Sequence, residues 1–282
     1  MLKLIILALN AGLFPLVCLA DTPENPRVVS LAPSITEIIF SVGKGDLIVG
    51  RTSADTYPEK VKKATIIGGF GKPSLEALIS VKPDIVFASS LCDGSVIKSI
   101  ESAGIKFVML PSESFDEYFK ALDEIGRLLH CEKVASVEVA RLKKGLSEFR
   151  LSARELSEDK RPLVFMEIWD VPLMTSGRKS FLNDFIILAG GRNLAGSLDK
   201  GYFNCSEEWV ISGSPDIIIA PSMGKAGVSG IRSRKGWENI PAVRNSRIYT
   251  NLDQDLVFRL GPRMLEGIKI FKDCIQPVAG AK

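Results

Sequence analysis

Short apolar runs rich in β-branched residues recur along this chain, and they alternate with stretches whose apolar residues follow a helical spacing. Apolar runs of this kind predict buried strands, and strands that alternate with helices predict a parallel, doubly wound sheet. The predicted strands are residues 27–32, 47–50, 84–88, 105–110, 162–168, 216–220 and 247–251. The predicted short helices are residues 34–42, 74–81, 96–103, 180–190, 206–212 and 262–275. Ser34, with Glu37 three residues later, predicts a capping box at the start of the first helix.

The stretch from 115 to 156 breaks this alternation, because it is rich in Lys, Arg, Glu, Leu and Ala and has no strand pattern. It predicts two helices, and the second, residues 132–157, would be about 38 Å long, enough to bridge two lobes. We therefore expect an α/β fold in which two doubly wound α/β lobes are joined by a single long α-helix, with a ligand cleft between the lobes. The predicted boundaries are 27–132 for the first lobe, 133–158 for the connecting helix and 159–278 for the second lobe.

One phrase occurs twice, once in each predicted lobe. SLEALISVKPDIVFASS at 74–90 and SEEWVISGSPDIIIAPS at 206–222 share Ser, Glu, Ile-Ser, Pro-Asp, Ile and Ala at a constant offset of 132 residues. A helix, a turn and a buried strand account for much of this match, but not for Glu76 and Glu208 at equivalent positions. Nor do they account for Phe70 and Tyr202, six positions before the glutamates in loops that contain glycine. If the lobes face each other, these two aromatic side chains approach the cleft from opposite sides.

The matched glutamates allow three interpretations. As acids near helix N-termini they would gain up to about 1 kcal/mol from the helix dipole and would need no partner. As the acid/base pair of a glycosidase they would have to lie roughly 5 to 10 Å apart, which is too close for acids on separate lobes. As exposed acidic groups, one on each lobe, they could bind a partner.

The N-terminal segment has the pattern of a cleaved secretory signal over residues 1–20. Lys3 precedes an apolar stretch from Leu4 to Val17, and small residues precede Asp21. The stretch is shorter than the roughly 20 residues that a membrane anchor needs. Lipid attachment at Cys18 is an alternative, although Val17 is bulky for the residue before such a site. We expect a soluble, periplasmic monomer.

Cysteines, histidine and charge limit the possible functions. Four cysteines lie beyond residue 20, and one bridge per lobe, Cys92–Cys131 and Cys205–Cys274, is one of three full pairings. His130 is the single histidine, so we expect no metal site and no resident cofactor. The net charge of +3 is small and the basic residues are scattered along the chain, which argues against nucleic acid as a partner. The sequence has no nucleophile elbow, P-loop or zinc signature, so we expect a protein that is not an enzyme.

Five segments in this order resemble the helical-backbone substrate-binding proteins of ABC importers, which deliver vitamin B12, ferric siderophores or haem to a membrane permease. The resemblance covers almost all of the chain beyond the signal and is greatest for the vitamin B12-binding branch. The segments are RVVSLAPSITEIIFSVG (27–43), TYPEKVKKATIIGGFGKPSLEALISVKPDIVFAS (56–89), FIILAGGRNLAG (185–196), SEEWVISGSPDIII (206–219) and WENIPAVRNSRIY (237–249).

The resemblance implies a role for the matched glutamates. In the family, one glutamate on each lobe docks onto arginines of the permease subunits, and these positions fall on Glu76 and Glu208. An exposed carboxylate can form a bidentate, charge-assisted contact with arginine. The implied partner is a permease dimer with its ATPase subunits.

The resemblance also implies an aromatic cleft, which would suit the flat face of a corrin. Phe70 and Tyr202 match two lining positions, Trp169 lies in a loop that resembles another lining segment, and Tyr57 lies in a loop that often faces the ligand. Arg259 falls where siderophore binders often place an arginine, although a surface or helix-capping arginine is the alternative.

Two positions depart from the vitamin B12-binding pattern, because Ala54 and Asp255-Leu256 stand where aromatic residues are expected. The cleft is then more open or more polar than that of a typical member. The expected function is capture of cobalamin or a related corrinoid, and the alternative ligand is a ferric siderophore or haem. Haem needs an axial ligand from the protein, such as a tyrosine. A scaffold or signalling protein with the same fold is the other class of function.

Overall fold

A computed structural model describes residues 23–276 except 91, 112 and 222–226, so the predicted signal at 1–20 lies outside the described residues. The first lobe is built on one parallel sheet with the strand order β3-β2-β1-β6-β7 and a separate two-stranded hairpin, β4-β5. Its strands are β1 Val28–Ser30, β2 Ile48–Arg51, β3 Thr65–Ile66, β4 Gly68–Gly69, β5 Lys72–Pro73, β6 Ile85–Ala88 and β7 Lys106–Met109. Its helices are α1 Pro33–Ser41, α2 Leu75–Ser80, α3 Gly94–Ser102 and α4 Phe115–Leu128.

The long helix predicted from the sequence is present as α5, Glu132–Arg154. The second lobe follows it, with a parallel sheet in the order β11-β8-β13-β14 and an antiparallel sheet in the order β12-β10-β9. Its strands are β8 Leu163–Met166, β9 Trp169–Asp170, β10 Leu173–Ser176, β11 Arg192–Asn193, β12 Tyr202–Asn204, β13 Ile217–Ile219 and β14 Ile248–Tyr249. Its helices are α6 Phe181–Leu188, α7 Glu207–Gly213, α8 Val228–Arg232, α9 Pro241–Arg244, α10 Gln254–Val257 and α11 Met264–Ile275.

The repeated phrase occupies the same place in both parallel sheets. Its strand lies beside the first strand of the lobe in each case, as β6 beside β1 and β13 beside β8. The aspartate of Pro-Asp has the same task in each copy: Asp84 accepts a hydrogen bond from the backbone N–H of Arg27 at 2.7 Å, and Asp216 accepts one from that of Leu163 at 2.7 Å. A carboxylate thus fixes the start of the neighbouring strand, which explains why the aspartate recurs.

Alternate strand residues face different clusters of buried side chains, as the pleat requires. Val28 and Val164 belong to one large cluster, which we call the inner core, and their neighbours Val29 and Phe165 belong to two outer clusters. The inner core also contains Leu142 and Leu146 of α5 and Phe185 of α6, so it is continuous from one lobe through the connecting helix into the other. Among the described residues, no helix has both the length and the apolar character needed to cross a bilayer.

The two suggested disulfides are not formed, because all four cysteines are free thiols. Cys131 and Cys274 lie in the inner core, whereas Cys92 and Cys205 pack against the outer clusters of the two lobes. The members of each suggested pair therefore lie in different clusters, on different sides of a sheet. Burial is also the main cause that raises the pKa of the Cys274 thiol to about 12.

The predicted capping box at the start of α1 is wrong. The helix begins one residue earlier, at Pro33, and its N-cap residue Ala32 makes no side-chain hydrogen bond. The carboxylate of Glu37 does not turn back to the helix end, because it binds arginines of the second lobe instead.

Candidate functional site

A cavity of about 480 Å³ lies between the two lobes, where the carboxyl ends of the parallel strands meet. Such strand ends are where open α/β sheets usually bind ligands. The first lobe lines the cavity with Pro33, Ser34, Ala54, Phe70, Ser89 and Glu113. The second lobe lines it with Ile168, Phe181, Leu182, Tyr202, Gln254, Asp255, Phe258, Arg259 and Leu260. Most of these residues follow β1, β2, β6, β7, β8 or β14 in the chain, so the loops after the strands form the site.

Phe70 and Tyr202 both line this cavity, one from each lobe. Phe70 lies in the turn of the β4-β5 hairpin and Tyr202 is the first residue of β12. Their exposed fractions, 44% and 41%, are high for large apolar side chains and leave ring surface free for a ligand. Desolvation within the cleft, together with the negative charge of Glu113, raises the pKa of the Tyr202 hydroxyl, so the phenol is neutral at physiological pH.

Tyr57 and Trp169 do not line the cavity, although they are as exposed as the other two aromatic residues. The ring of Tyr57 lies beneath the guanidinium of Arg263, whose carbon is 3.8 Å from the ring centroid. The indole of Trp169 donates a hydrogen bond to the carbonyl of Val171 at 2.9 Å. The cavity thus brings together three of the five residues that we predicted to contact the ligand: Phe70, Tyr202 and Arg259.

Arg259 lies in the cavity wall, but its guanidinium already has partners. It donates to Asp255 at 2.7 Å, to the carbonyl of Ala54 at 3.3 Å and to Glu37 at 3.2 Å. Arg263 binds the same Glu37 carboxylate in bidentate fashion, at 2.8 and 2.9 Å. Glu37 is on α1 of the first lobe and both arginines are in the second lobe, so this network joins the lobes beside the cavity. The hydrogen bond with Glu37 is the main cause that raises the pKa of Arg263.

The walls of the cavity are apolar with an excess of acid. Glu113 and Asp255 contribute two carboxylates and Arg259 one guanidinium. Both departures from the vitamin B12-binding pattern lie in these walls, since Ala54 and Asp255 line the cavity where aromatic residues were expected. Ala54 leaves more space in the wall than an aromatic side chain would, and Asp255 adds a carboxylate.

Sequence reasoning missed several residues of the site. Phe181 and Phe258 were assigned no role, yet both line the cavity. Glu113 was also missed, although its place in the short loop between β7 and α4 could have indicated a position at the sheet edge. Glu37 was assigned to a helix cap, and its arginine partners more than 200 residues away give no local pattern.

Glu76 and Glu208 occupy equivalent and exposed positions, each the second residue of its helix. The helices α2 and α7 are both capped by serine, since Ser74 accepts from the N–H of Ala77 and Ser206 from that of Trp209. Hydrogen bonds from its own backbone N–H and from Ser206 lower the pKa of Glu208. Glu76 and Glu208 therefore hold the same place on equivalent capped helices, and α7 carries a second exposed acid, Glu207, beside Glu208.

A larger cavity of about 730 Å³ lies in a groove between α4, α5 and α6. Its walls contain the long side chains of Lys143, Arg150 and Arg154, and no pair of facing aromatic rings. None of the predicted ligand residues lines it. We therefore assign the candidate site to the smaller cavity between the lobes.

The family model described as periplasmic binding protein matches residues 28–255 of this chain. An ABC transporter substrate-binding lipoprotein of Bacillus subtilis is 34% identical over 259 residues, which cover 90% of this chain and 81% of that protein. A cobalamin-binding protein of Halobacterium salinarum is 28% identical over 202 residues, which cover 70% of this chain and 54% of that protein. The apo structure of a periplasmic haem-binding protein from Roseiflexus is similar, with a TM-score of 0.79, 27% identity, and coverage of 89% of this chain and 99% of that one.

Proposed function

This chain belongs to the periplasmic binding protein family, and on that premise we propose that it captures cobalamin or a related corrinoid for an ABC importer. Members of the family are substrate-binding transport proteins, so binding rather than catalysis is the expected activity. In the proposal the chain is exported, residues 1–20 are removed, and the rest works in the periplasm as a monomer.

The observation that carries this proposal is the pair of aromatic side chains on opposite walls of one cavity. Phe70 and Tyr202 come from different lobes, and each has much of its ring exposed. Two such rings provide apolar faces for a flat, largely apolar macrocycle. Cobalamin is larger than the cavity, so the proposal requires that part of the ligand lie at its mouth.

The charge of the cavity favours a corrinoid over other chelates of similar shape. Glu113 and Asp255 outnumber Arg259 in the walls, and Asp255 already pairs with that arginine. The corrin periphery carries amide groups, which can donate hydrogen bonds to carboxylates. The periphery of haem carries carboxylates, and an acidic wall repels them.

Haem is the second candidate, and the hydroxyl of Tyr202 is the observation that favours it. A tyrosine that lines the cavity could serve as an axial ligand to iron. The similar haem-binding protein supports the same alternative. A ferric siderophore is a third possibility of the same class, but it would have to compete with Glu37 and Asp255 for the guanidinium of Arg259.

In the proposal, Glu76 and Glu208 bind arginines of the permease dimer, one subunit for each lobe. Their support is the equivalent placement of two exposed carboxylates at the second position of Ser-capped helices. Transport would be powered by the ATPase subunits of the importer rather than by this protein.

Calorimetric titration of the chain without residues 1–20 tests the proposed ligand. Cyanocobalamin is one titrant, and haemin and a ferric siderophore are the parallel titrants. One-to-one binding of cyanocobalamin that is tighter than binding of the other two is the expected result. If haemin or the siderophore binds tightly and cyanocobalamin does not bind, the proposed ligand is wrong and the ligand that binds takes its place in the assignment.

A further inference from the structure

The buried carboxylate of Glu37 is the centre of a charge network beside the proposed ligand cavity. Glu37 is 3% exposed and lies on α1 of the first lobe. It accepts hydrogen bonds from Arg263 at 2.8 and 2.9 Å and from Arg259 at 3.2 Å, and both arginines come from the second lobe. Arg259 also pairs with Asp255. Two carboxylates thus balance two guanidinium groups, and the network has no net charge.

The charge balance of this network determines the net charge that a ligand encounters in the cavity. Arg259 lines the cavity, but contacts with Glu37, Asp255 and the carbonyl of Ala54 use three of its five N–H donors, and two of these three partners are carboxylates. With the network neutral, the carboxylate of Glu113 in the same wall leaves the site with an excess of negative charge. A ligand with peripheral carboxylates then meets a single cation in the cavity wall, Arg259, whose charge is already compensated by Glu37 and Asp255.

Stability alone does not explain why a charge is buried here. Replacement of a buried ion network by apolar residues of similar volume is often neutral or stabilising, because the desolvation penalty offsets the attraction between the charges. A second buried pair of this kind, Glu167 with Arg234 at 2.6 and 2.7 Å, is in the second lobe, and neither residue lines the cavity. That pair provides a control with the same chemistry at a different place.

We propose that Glu37 sets the charge selectivity of the cleft, by neutralising two arginines so that ligands with an amide periphery are preferred over ligands with a carboxylate periphery. This inference rests on the proposed function, because it concerns the ligand cavity described above. Glu37 does not line the cavity, so it is a positioning residue that acts through Arg259 and Arg263.

The test uses two corrinoids that differ at one group: cyanocobalamin and its monocarboxylic acid, in which one peripheral amide is hydrolysed. The ratio of their dissociation constants measures selectivity at constant shape. The wild-type protein is expected to prefer the amide. E37Q keeps the size of the side chain and removes its charge, and the preference should fall on the order of tenfold, as expected for one unit charge about 10 Å from the ligand in a partly buried site.

E167Q is the matched control. It also removes one carboxylate from a buried bidentate pair, and it should leave the preference unchanged while lowering the melting temperature by a similar amount. A merely structural role for Glu37 would give the two variants the same selectivity, and this result would overturn the proposal.

Two more variants keep the proposal testable if E37Q does not fold. R263Q removes one positive charge, so it should strengthen the preference for the amide. The double variant E37Q/R263Q restores neutrality and should return the preference to the wild-type value. A change in the same direction for E37Q and R263Q would contradict a charge mechanism.

Failure of the proposed function has a different outcome from failure of this inference. If the wild-type protein binds neither corrinoid, the corrinoid assignment is wrong, and the selectivity is measured instead with haemin and its dimethyl ester. The ester should then bind more tightly to the wild-type protein, and E37Q should narrow the difference. An unchanged ratio in E37Q for the ligand that does bind would reject the role of Glu37.

Discussion

At the scale of single residues, side chains with similar exposure differ in whether they line the cavity. Phe70, Tyr202, Tyr57 and Trp169 all have exposed aromatic rings, but only the first two line the cavity between the lobes. Tyr57 instead covers the guanidinium of Arg263. Exposure of an aromatic ring is therefore not sufficient to predict that it contacts the ligand. Its position relative to the strand ends determines whether it lines the cavity.

Alanine in place of Phe70 or Tyr202 is expected to weaken ligand binding by about tenfold to a hundredfold, because each substitution removes an apolar face that the ligand covers. Trp169→Ala is the control, with a side chain of similar exposure outside the cavity. Calorimetric titration with the ligand that binds the wild-type protein measures all three. A loss in W169A as large as that in Y202A would show that the ligand extends beyond the cavity described.

The buried thiol of Cys274 predicts a loss of stability in alkali. Its pKa is raised from 9.0 to about 12 mainly by burial, so the folded state holds the proton more tightly than the unfolded state. The stabilisation is complete below pH 9.0, the pKa of an exposed thiol, and is lost as the pH rises toward 12. The contribution of this group should fall by up to about 1.4 kcal/mol for each pH unit in that window.

Urea unfolding between about pH 8 and pH 10.5 measures this effect. C274A should be less stable at the lower pH because of the small cavity that it creates. Its free energy of unfolding should decline less steeply with pH than that of the wild-type protein. Parallel declines in the two proteins would mean that Cys274 does not titrate in the unfolded state as assumed.

At the scale of elements, the repeat shows what a sequence can predict. The positions of seven strands, the long helix and the equivalent places of α2 and α7 follow from apolar periodicity and from one phrase that occurs twice, because these depend on local pattern. The partners of Glu37 could not be predicted, since a Ser-x-x-Glu pattern near a helix start describes four residues, whereas the arginines that bind Glu37 lie more than 200 residues away. Contacts between lobes have no period in the sequence.

The two Ser-capped helices predict a separation of ligand binding from delivery. Glu76→Ala with Glu208→Ala should leave ligand affinity unchanged, because neither residue lines the cavity. Loss of two exposed acids should alter stability by no more than about 1 kcal/mol in total. Uptake of labelled ligand by cells that depend on this protein should fall strongly, because the proposed contacts with permease arginines are lost.

Glu132→Ala is the matched control for this pair, because Glu132 is an exposed acid in the first turn of α5. Normal uptake in E132A together with reduced uptake in the double variant supports docking through α2 and α7. Normal uptake in the double variant would show that both glutamates are acids near helix N-termini with no role in docking.

At the scale of the whole molecule, the lobes are joined by more than one connection. The inner core is continuous through α5, and the Glu37 network links the lobes beside the cavity. At Gly145, a Cβ atom would lie 2.4 Å from the side chain of Leu265, so α5 and α11 approach closely at this point. Rotation of one lobe against the other would disturb all of these contacts.

We therefore expect a small change of shape on ligand binding. A compact chain of this length has a radius of gyration of about 19 Å, and the ligand should alter that radius by less than about 1 Å. Small-angle X-ray scattering of the free and ligand-saturated protein provides the measurement. A decrease of several ångströms would show a hinge that the continuous core should prevent.

The cavity wall comes from loops that follow the parallel strands, whereas the inner core comes from the strands and helices. Ligand preference and folding stability are therefore encoded by partly separate sets of residues, which overlap at Phe181, Leu182 and Leu260. Over evolution, residues of the loops can change to bind a new chelate while the sequences of the sheets remain the same. The same separation offers a route to engineering, in which substitutions at Ala54 and Phe70, which belong to none of the buried clusters, are screened for new cargo in a scaffold whose folding they leave intact.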